Sequence, residues 1–265
     1  MNLDRIMAVL ETLAIAGRPL SPAELESMTD LPRPTCYRLL QTLAKHQFLD
    51  ETDAKSRFVI GKKLVQVTLL AKNDADIGDV TSPALKDAAS RFGEAVFLSR
   101  FKNDDVSIIR VETPRNPATP YVHPGLGRRP LHACSCSKVI AAFADDAFQE
   151  RVMQGPMKAY TNHTHTTRET LEKEFEKIRE LGYAECVEEI ETGVSSVAAP
   201  VQIGAAGALV SVGTIGPTSK FNPGHRRARG EALVELAREV SSMIQFNGQV
   251  VLELKEPDPA SSTGV

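Results

Sequence analysis

A chain of 265 residues is long for one compact core and comfortable for two domains. With 42% hydrophobic and 25% charged residues, and no apolar run near the ~20 residues that span a bilayer, the composition is that of a soluble globular protein. Four cysteines are too few for a disulfide framework, and a net charge of -3 does not advertise a nucleic-acid partner.

The chain opens on an apolar helical stripe, Leu3, Ile6, Leu10 and Leu13, ended by Gly17. Asp4 and Glu11 interrupt it and no basic stretch precedes it, so no secretion signal is read and a cytoplasmic location is expected. Ser21-Pro22-Ala23-Glu24 has the form of a capping box with proline at the first helical position, which predicts a short second helix ending near Met28-Thr29-Asp30. The next stretch, Leu31 to Phe48, predicts a third helix after a tight turn. Cys36, Leu39, Leu40 and Leu43 fall on one narrow face, and Pro34, Arg38, Gln41 and Lys45 fall on the other, flanked by Thr35, Tyr37 and Thr42.

Residues 1–61 hold seven Lys/Arg and eight Asp/Glu, so charge placement matters more than its sum. Residues 31–49 carry Arg33, Arg38 and Lys45 with no acid, whereas an ordinary surface helix mixes Glu with its cations. Two helices joined by a tight turn, the second exposing cations, form a helix-turn-helix. Phe48–Asp50 and Arg57–Ile60 then read as a β-hairpin around the polar loop Glu51–Ser56, placed where a winged helix-turn-helix has its wing.

Gly61 to about Asn73 predicts a connecting helix, and about Asp79 to Phe92 another with Pro83 near its start. Ala95–Phe101 and Val106–Glu112 are β-rich around Lys102-Asn103-Asp104-Asp105, a hairpin signal. A Pro/Gly-rich loop (114–130) leads to short helices at Ser135–Phe143 and about Asp146–Met153. Thr166-Thr167-Arg168-Glu169 reads as a capping box for a helix with Leu171, Phe175, Ile178 and Leu181 as its stripe and Gly182 as its stop. Val194–Ile203 and Ala208–Ile215, joined by Gly204–Gly207, suit a central hairpin. A last helix covers about Gly224–Phe246, with Leu233, Leu236, Ala237, Val240 and Ile244 on one face, before a Pro/Ser-rich tail expected to be disordered. The second half is therefore read as an antiparallel sheet of five or six strands with helices against it, of a size that holds a small-molecule pocket.

The segments LPRPTCYRLLQTL, Pro130-Leu-His-Ala-Cys-Ser-Cys-Ser-Lys138, LGYAECVEEIETGVSSVAAPV (181–201) and VGTIGP (212–217) together resemble the IclR-type transcriptional regulators, over about residues 3 to 246. The resemblance implies an α+β chain: a winged helix-turn-helix domain over 1–61, a linker helix over 62–77, a GAF-like antiparallel-sheet effector domain over 78–250, and a tail over 251–265. It also implies homodimers, in some members dimers of dimers, on double-stranded palindromic operator DNA, controlled by a small organic-acid effector, with no cofactor and no membrane partner.

The residues and the resemblance converge on Arg33, Thr35, Tyr37, Arg38, Gln41 and Lys45 as DNA-facing, with Lys55 and Arg57 on the wing. The resemblance further places Ser135, Cys136, Cys186, Val194, Ser196, Gly213 and Ile215 around the effector, and Tyr121 and Arg129 on a loop over it. The start of the helix at Ser135 offers free amides as a carboxylate cradle. Where many members carry polar groups this chain has Cys136, Cys186, Gly213 and Ile215, which favours an aromatic or larger effector over a two-carbon acid.

No catalytic set or metal site is expected. Glu188 and Glu189, adjacent on a strand, would point to opposite faces. His163-Thr164-His165 is read as a polar loop rather than a metal pair. Cys134 and Cys136, two apart and so outside the usual zinc spacing, leave two alternatives open: a thiol-dependent hydrolase or acyl transferase, and a redox-sensing repressor.

Overall fold

The computed structural model describes residues 3–52, 56–116, 121–203 and 207–253, without the side chains of 70 and 246–253. The chain divides into two compact units whose boundary in sequence falls between Lys72 and Asn73.

The first unit holds α1 (Leu3–Ala16), α2 (Pro22–Met28), α3 (Arg33–Lys45), β1 (Leu49–Glu51), β2 (Phe58–Ile60) and α4 (Lys62–Ala71). Ser21 caps α2 with the full reciprocal box: its hydroxyl accepts from the Glu24 amide, and the Glu24 carboxylate accepts from the Ser21 amide at 2.9 Å. Only Thr29–Pro32 separate α2 from α3. The apolar faces of the three helices close with Leu20, Leu49 and Phe58 on one buried cluster. β1 and β2 pair antiparallel with Leu49 opposite Ile60, and Leu20 bridges to Phe58 as a third short rung of the wing. The expected tight turn, third helix and hairpin are all present.

The helix expected over 61–73 is α4, and a break at Lys72-Asn73 ends it. The following helix, α5 (Asp74–Phe92), starts about five residues earlier than its sequence suggests, because the Asn73 side chain accepts from the Asp76 amide at 2.7 Å. Asp74 and Asp76 in the first turn favour that start through the helix dipole. Pro83 consequently lies inside the helix rather than near its beginning.

The second unit is a six-stranded antiparallel sheet of order β5-β4-β3-β8-β7-β6. Its strands are β3 (Ala95–Lys102), β4 (Asp105–Glu112), β5 (Gly127–Arg129), β6 (Ala184–Val187), β7 (Val194–Gln202) and β8 (Ala208–Pro217). Asn103 and Asp104 both take positive φ, the two-residue turn that matches strand twist. α5 and α9 (Pro223–Glu253) pack on one face. The other face carries α6 (Ser135–Ala142), with α7 (Asp146–Gln154) and α8 (Arg168–Leu181) packed on α6. The central strands are covered on both faces, so they read as apolar runs rather than as alternation.

Some boundaries differ from the sequence reading. The cap of α8 is Thr167, accepting from the Thr170 amide, so no Thr166–Glu169 box forms, and Leu181 is exposed. The last helix runs on to Glu253, so 251–253 are helical; the rest of the expected tail, 254–265, and residues 204–206 of the β7–β8 connection lie outside the described residues.

Gly213 on β8 sits opposite Phe97 on β3, and a Cβ there would come 2.3 Å from the Phe97 ring and 2.7 Å from the Val197 carbonyl. Gly213→Ala is therefore expected to lower stability by about 1–3 kcal/mol through overpacking. A thermal melt of the variant that overlays the parent would contradict this.

Candidate nucleic-acid interface and ligand cavity

Pro32 caps α3 without a side-chain bond and Pro34 occupies the first turn, where a missing N–H costs little. Cys36, Leu39, Leu40 and Leu43 are buried as the periodicity requires. Arg33, Arg38, Gln41 and Lys45 are exposed, and Tyr37 is half out of the protein at 51%. Thr35 is half-buried, and the Thr42 hydroxyl donates to the Arg38 carbonyl at 2.7 Å. Among the described residues no carboxylate pairs with the side chains of Arg33, Arg38 or Lys45. Arg38, Gln41 and Lys45, three and four residues apart, therefore form one cationic and hydrogen-bonding line of the width that enters a major groove.

The wing departs from expectation. Lys55 lies outside the described residues. Arg57 turns back onto its own unit instead of outward: its guanidinium donates to the Pro19 carbonyl at 3.0 Å and pairs with Glu24 at 3.0 Å. Glu24 also accepts from Arg18 at 2.7 Å. The Ser21 amide, then Arg18, hold the Glu24 carboxyl down at about 2. Arg57 thus ties the wing to α2.

In the second unit a cavity of about 150 Å³ opens at the N-terminal end of α6. Phe97, Ile108 and Ile215 line it from the sheet, with Cys186, Val194, Ser195 and Ser196 beside them. Its lip is Val122-His123-Pro124 with Arg129 and Pro130 on one side and Ile190-Glu191 on the other. Arg129 donates to the carbonyls of Pro124 and Gly125, which folds the loop over the opening. Cys134, the N-cap of α6, is the residue of this helix start that lines the cavity.

Of the nine residues expected around an effector, Arg129, Cys186, Val194, Ser196 and Ile215 line this cavity. Ser135 lies behind the wall, its hydroxyl 2.7 Å from that of Ser196. Cys136 is fully buried beneath it, and Cys134, two residues back, takes the lining position. Gly213 is not in the wall, since Phe97 covers it. Tyr121 is exposed outside, and the neighbouring Val122 faces in. Cys134 and Cys136 hold their sulfurs 3.3 Å apart. The bond to Cys136, then burial, pushes the Cys134 thiol well up; burial also raises Cys136, but bonds from Cys134, Ser99 and Ser137 outweigh it and bring that thiol down. Burial pushes Cys186 up to about 12.

Behind the cavity, Lys138 of α6 is fully buried, 2.6 Å from Glu189 and 2.9 Å from Glu174. Burial pushes Glu189 up to about 7 against the pull of Lys138. Glu188 and Glu189 do not lie on a strand as expected: β6 ends at Val187, and Glu188 takes a positive φ in the turn. Glu188 accepts from the Gly193 amide at 2.6 Å, while Glu189 faces Lys138, so they form no acid/base pair. His165, Glu174 and Glu189 bring potential ligand atoms within 4.8 Å of one another. The Lys138 ammonium already sits against both carboxylates. A lysine as the one charge in the helix SCSKVIAA is the sequence signal that points to this network.

A winged helix with an acid-free outer face, on a chain that also carries a six-stranded α+β unit, is the make-up of a DNA-binding transcriptional regulator. Two family descriptions match: "IclR helix-turn-helix domain" over residues 2–53 and "Bacterial transcriptional regulator IclR C-terminal" over residues 70–242. The chain belongs to the IclR family of bacterial transcriptional regulators, as its motifs suggested, and that family consists of regulators rather than enzymes. It is 28% identical over 203 residues to the glycerol operon regulatory protein of Streptomyces coelicolor, covering 76% of this chain and 78% of that one. It is 24% identical over 243 residues to the HTH-type transcriptional repressor AllR of Escherichia coli, covering 91% and 89%. Among solved structures, the IclR protein of Thermotoga maritima superposes with a TM-score of 0.59 at 24% identity, covering 91% of this chain and 97% of that one. An IclR homologue from Microbacterium hydrocarbonoxydans complexed with 4-hydroxybenzoate gives 0.55 at 20% identity, covering 94% and 99%. Among the described residues no helix is long and apolar enough to cross a membrane.

The Glu24 cluster sets a pH signature. Because its folded pKa of about 2 lies below the ordinary 4.5, its stabilising contribution is present above 4.5 and is lost as pH falls through 2. In thermal melts of the full chain, Glu24→Gln is expected to be less stable than the parent at neutral pH and to show a shallower decline across that window. Parallel declines in the two proteins would contradict the assignment.

Proposed function

We propose that α3 enters the major groove of a palindromic operator and that a small aromatic acid in the cavity controls this binding, in the service of a neighbouring catabolic operon. The observation that carries the DNA half is the line Arg38, Gln41 and Lys45 on an acid-free face, with no carboxylate among the described residues taking up its charge. Arg38 and Gln41 read base edges, while Arg33, Lys45 and the half-exposed Tyr37 contact flanking phosphates and sugar. Thr35, half-buried at the helix start, sits at the edge of the contact, and Lys55 is assigned to the phosphate backbone on the wing. Arg57 holds the wing in place for it. The chain acts as a homodimer, alone or paired into a tetramer, because two recognition helices about one helical turn apart match a two-fold operator. Lys62–Ala71 serves as the connecting helix between the DNA-binding and effector domains.

Three features support an aromatic acid. The cavity, about 150 Å³, has the size that takes one benzene ring. Its floor of Phe97, Ile108 and Ile215 is apolar. The Arg129 guanidinium lines the cavity and suits a carboxylate. That a protein of the same fold was solved with 4-hydroxybenzoate agrees with this chemistry.

Arg38→Ala is expected to weaken binding to the chain's own promoter fragment by about 1–3 kcal/mol with an unchanged melting curve. A gel-shift affinity equal to the parent's would remove Arg38 from the interface. In calorimetry, benzoate or 4-hydroxybenzoate is expected to bind where glyoxylate and pyruvate do not. Binding confined to the short aliphatic acids would refute the aromatic assignment and leave the DNA assignment standing.

A further inference from the structure

The cavity wall holds a feature that ligand recognition does not use. Cys134 and Cys136 place their sulfurs 3.3 Å apart, with Cys134 lining the cavity and Cys136 sealed directly beneath it. With Ser135 already helical, helix geometry sets their Cα atoms about 5.4 Å apart. That falls within the Cα range a disulfide tolerates. Cys186 also lines the cavity, yet among the described residues the three thiols do not gather as a metal-ligand set; the one such group is His165, Glu174 and Glu189. The pair is therefore built for sulfur–sulfur chemistry rather than for a three-sulfur metal site.

We propose that Cys134 and Cys136 form a redox-active dithiol in the cavity wall, converted by organic hydroperoxides to an intramolecular disulfide. A hydroperoxide reaches the Cys134 sulfur from the cavity. That sulfur attacks the terminal oxygen: an S–O bond forms, the O–O bond breaks, and the alkoxide leaves with the Cys134 proton as the alcohol. The Cys136 sulfur then attacks the Cys134 sulfenic acid: the S–S bond forms, the S–O bond breaks, and hydroxide leaves with the Cys136 proton as water. The two thiols give up two electrons and two protons, and the hydroperoxide is reduced to alcohol and water.

The position of Cys136 in the first turn of α6 favours the second attack, the one that closes the S–S bond, because the amides and dipole there stabilise sulfur anions. The bonds from Cys134, Ser99 and Ser137 that bring its thiol down act in the same direction. The apolar floor admits a ring-sized hydroperoxide more readily than a heavily hydrated oxidant.

The test treats the reduced full chain with one equivalent of cumene hydroperoxide and maps the product by mass spectrometry. The expected product has lost two hydrogens, is restored by dithiothreitol, and joins Cys134 to Cys136. The Cys186→Ser variant should still form it. Cys136→Ser should instead stop at a sulfenic acid on Cys134 that dimedone traps. No reaction, a Cys134–Cys186 link, direct passage to sulfinic acid, or modification confined to Cys36 would each overturn the proposal. Mapping the parent chain decides the matter even if a variant fails to fold. Neither operator nor effector is present in the assay, so its failure is separate from any failure of the regulatory reading.

Discussion

Lys138 holds its ammonium out of contact with water, 2.6 Å from Glu189 and 2.9 Å from Glu174. Those three residues belong to α6, the turn after β6 and α8, three pieces that the ion pairs hold together. An uncompensated buried charge costs on the order of 3–5 kcal/mol, so loss of either partner would release the others. The clamp also accounts for α6 being buried along its whole length: Lys138 fixes the helix from within, and Cys134, just ahead of its first turn, is held in the cavity wall. Ile190 and Glu191 follow Glu189 directly, so the same ion pair sets that side of the lip.

The winged helix depends on a different economy of charge. Two of its acids are engaged internally: Glu24 is shared by Ser21, Arg18 and Arg57, and Glu26 accepts from the Arg33 amide. What remains outward on α3 is cationic although the whole chain is net negative. A near-neutral protein can in this way present a strongly polarised face, since it is the local field that a phosphate backbone meets.

Elements with a long period were legible in the sequence. The stripe of α3, the box at Ser21–Glu24, the stripe Leu171-Phe175-Ile178 and the β7–β8 hairpin all follow from local chemistry that tertiary packing did not override. Some short or capped-from-outside elements were not. β5, three residues at the end of the Pro/Gly-rich loop, shows no strand pattern, and β6 ends at Val187, short of Glu188 and Glu189. α5 starts where a single Asn73 bond begins it. In the site, errors were small in sequence and large in space. Tyr121 and Val122 are neighbours facing opposite ways on an aperiodic loop. Cys134 is the extended N-cap of α6 and Cys136 lies in its first turn, so of two neighbouring sulfurs one is in the cavity wall and the other is sealed behind it. Arg57 reads as a free wing cation because its partners, Pro19 and Glu24, lie more than thirty positions away.

In the proposed function, occupation of a small cavity in one unit and engagement of α3 by DNA are thermodynamically linked. Linkage must be reciprocal, so it can be measured from either side. The direct measurement is the affinity of the chain for 4-hydroxybenzoate, free and saturated with its own promoter fragment, beside the affinity for that fragment with and without the ligand. The account predicts that both ratios differ from one and equal each other. Ligand binding that is the same with and without operator, alongside no preference for the promoter over random duplex, would contradict it.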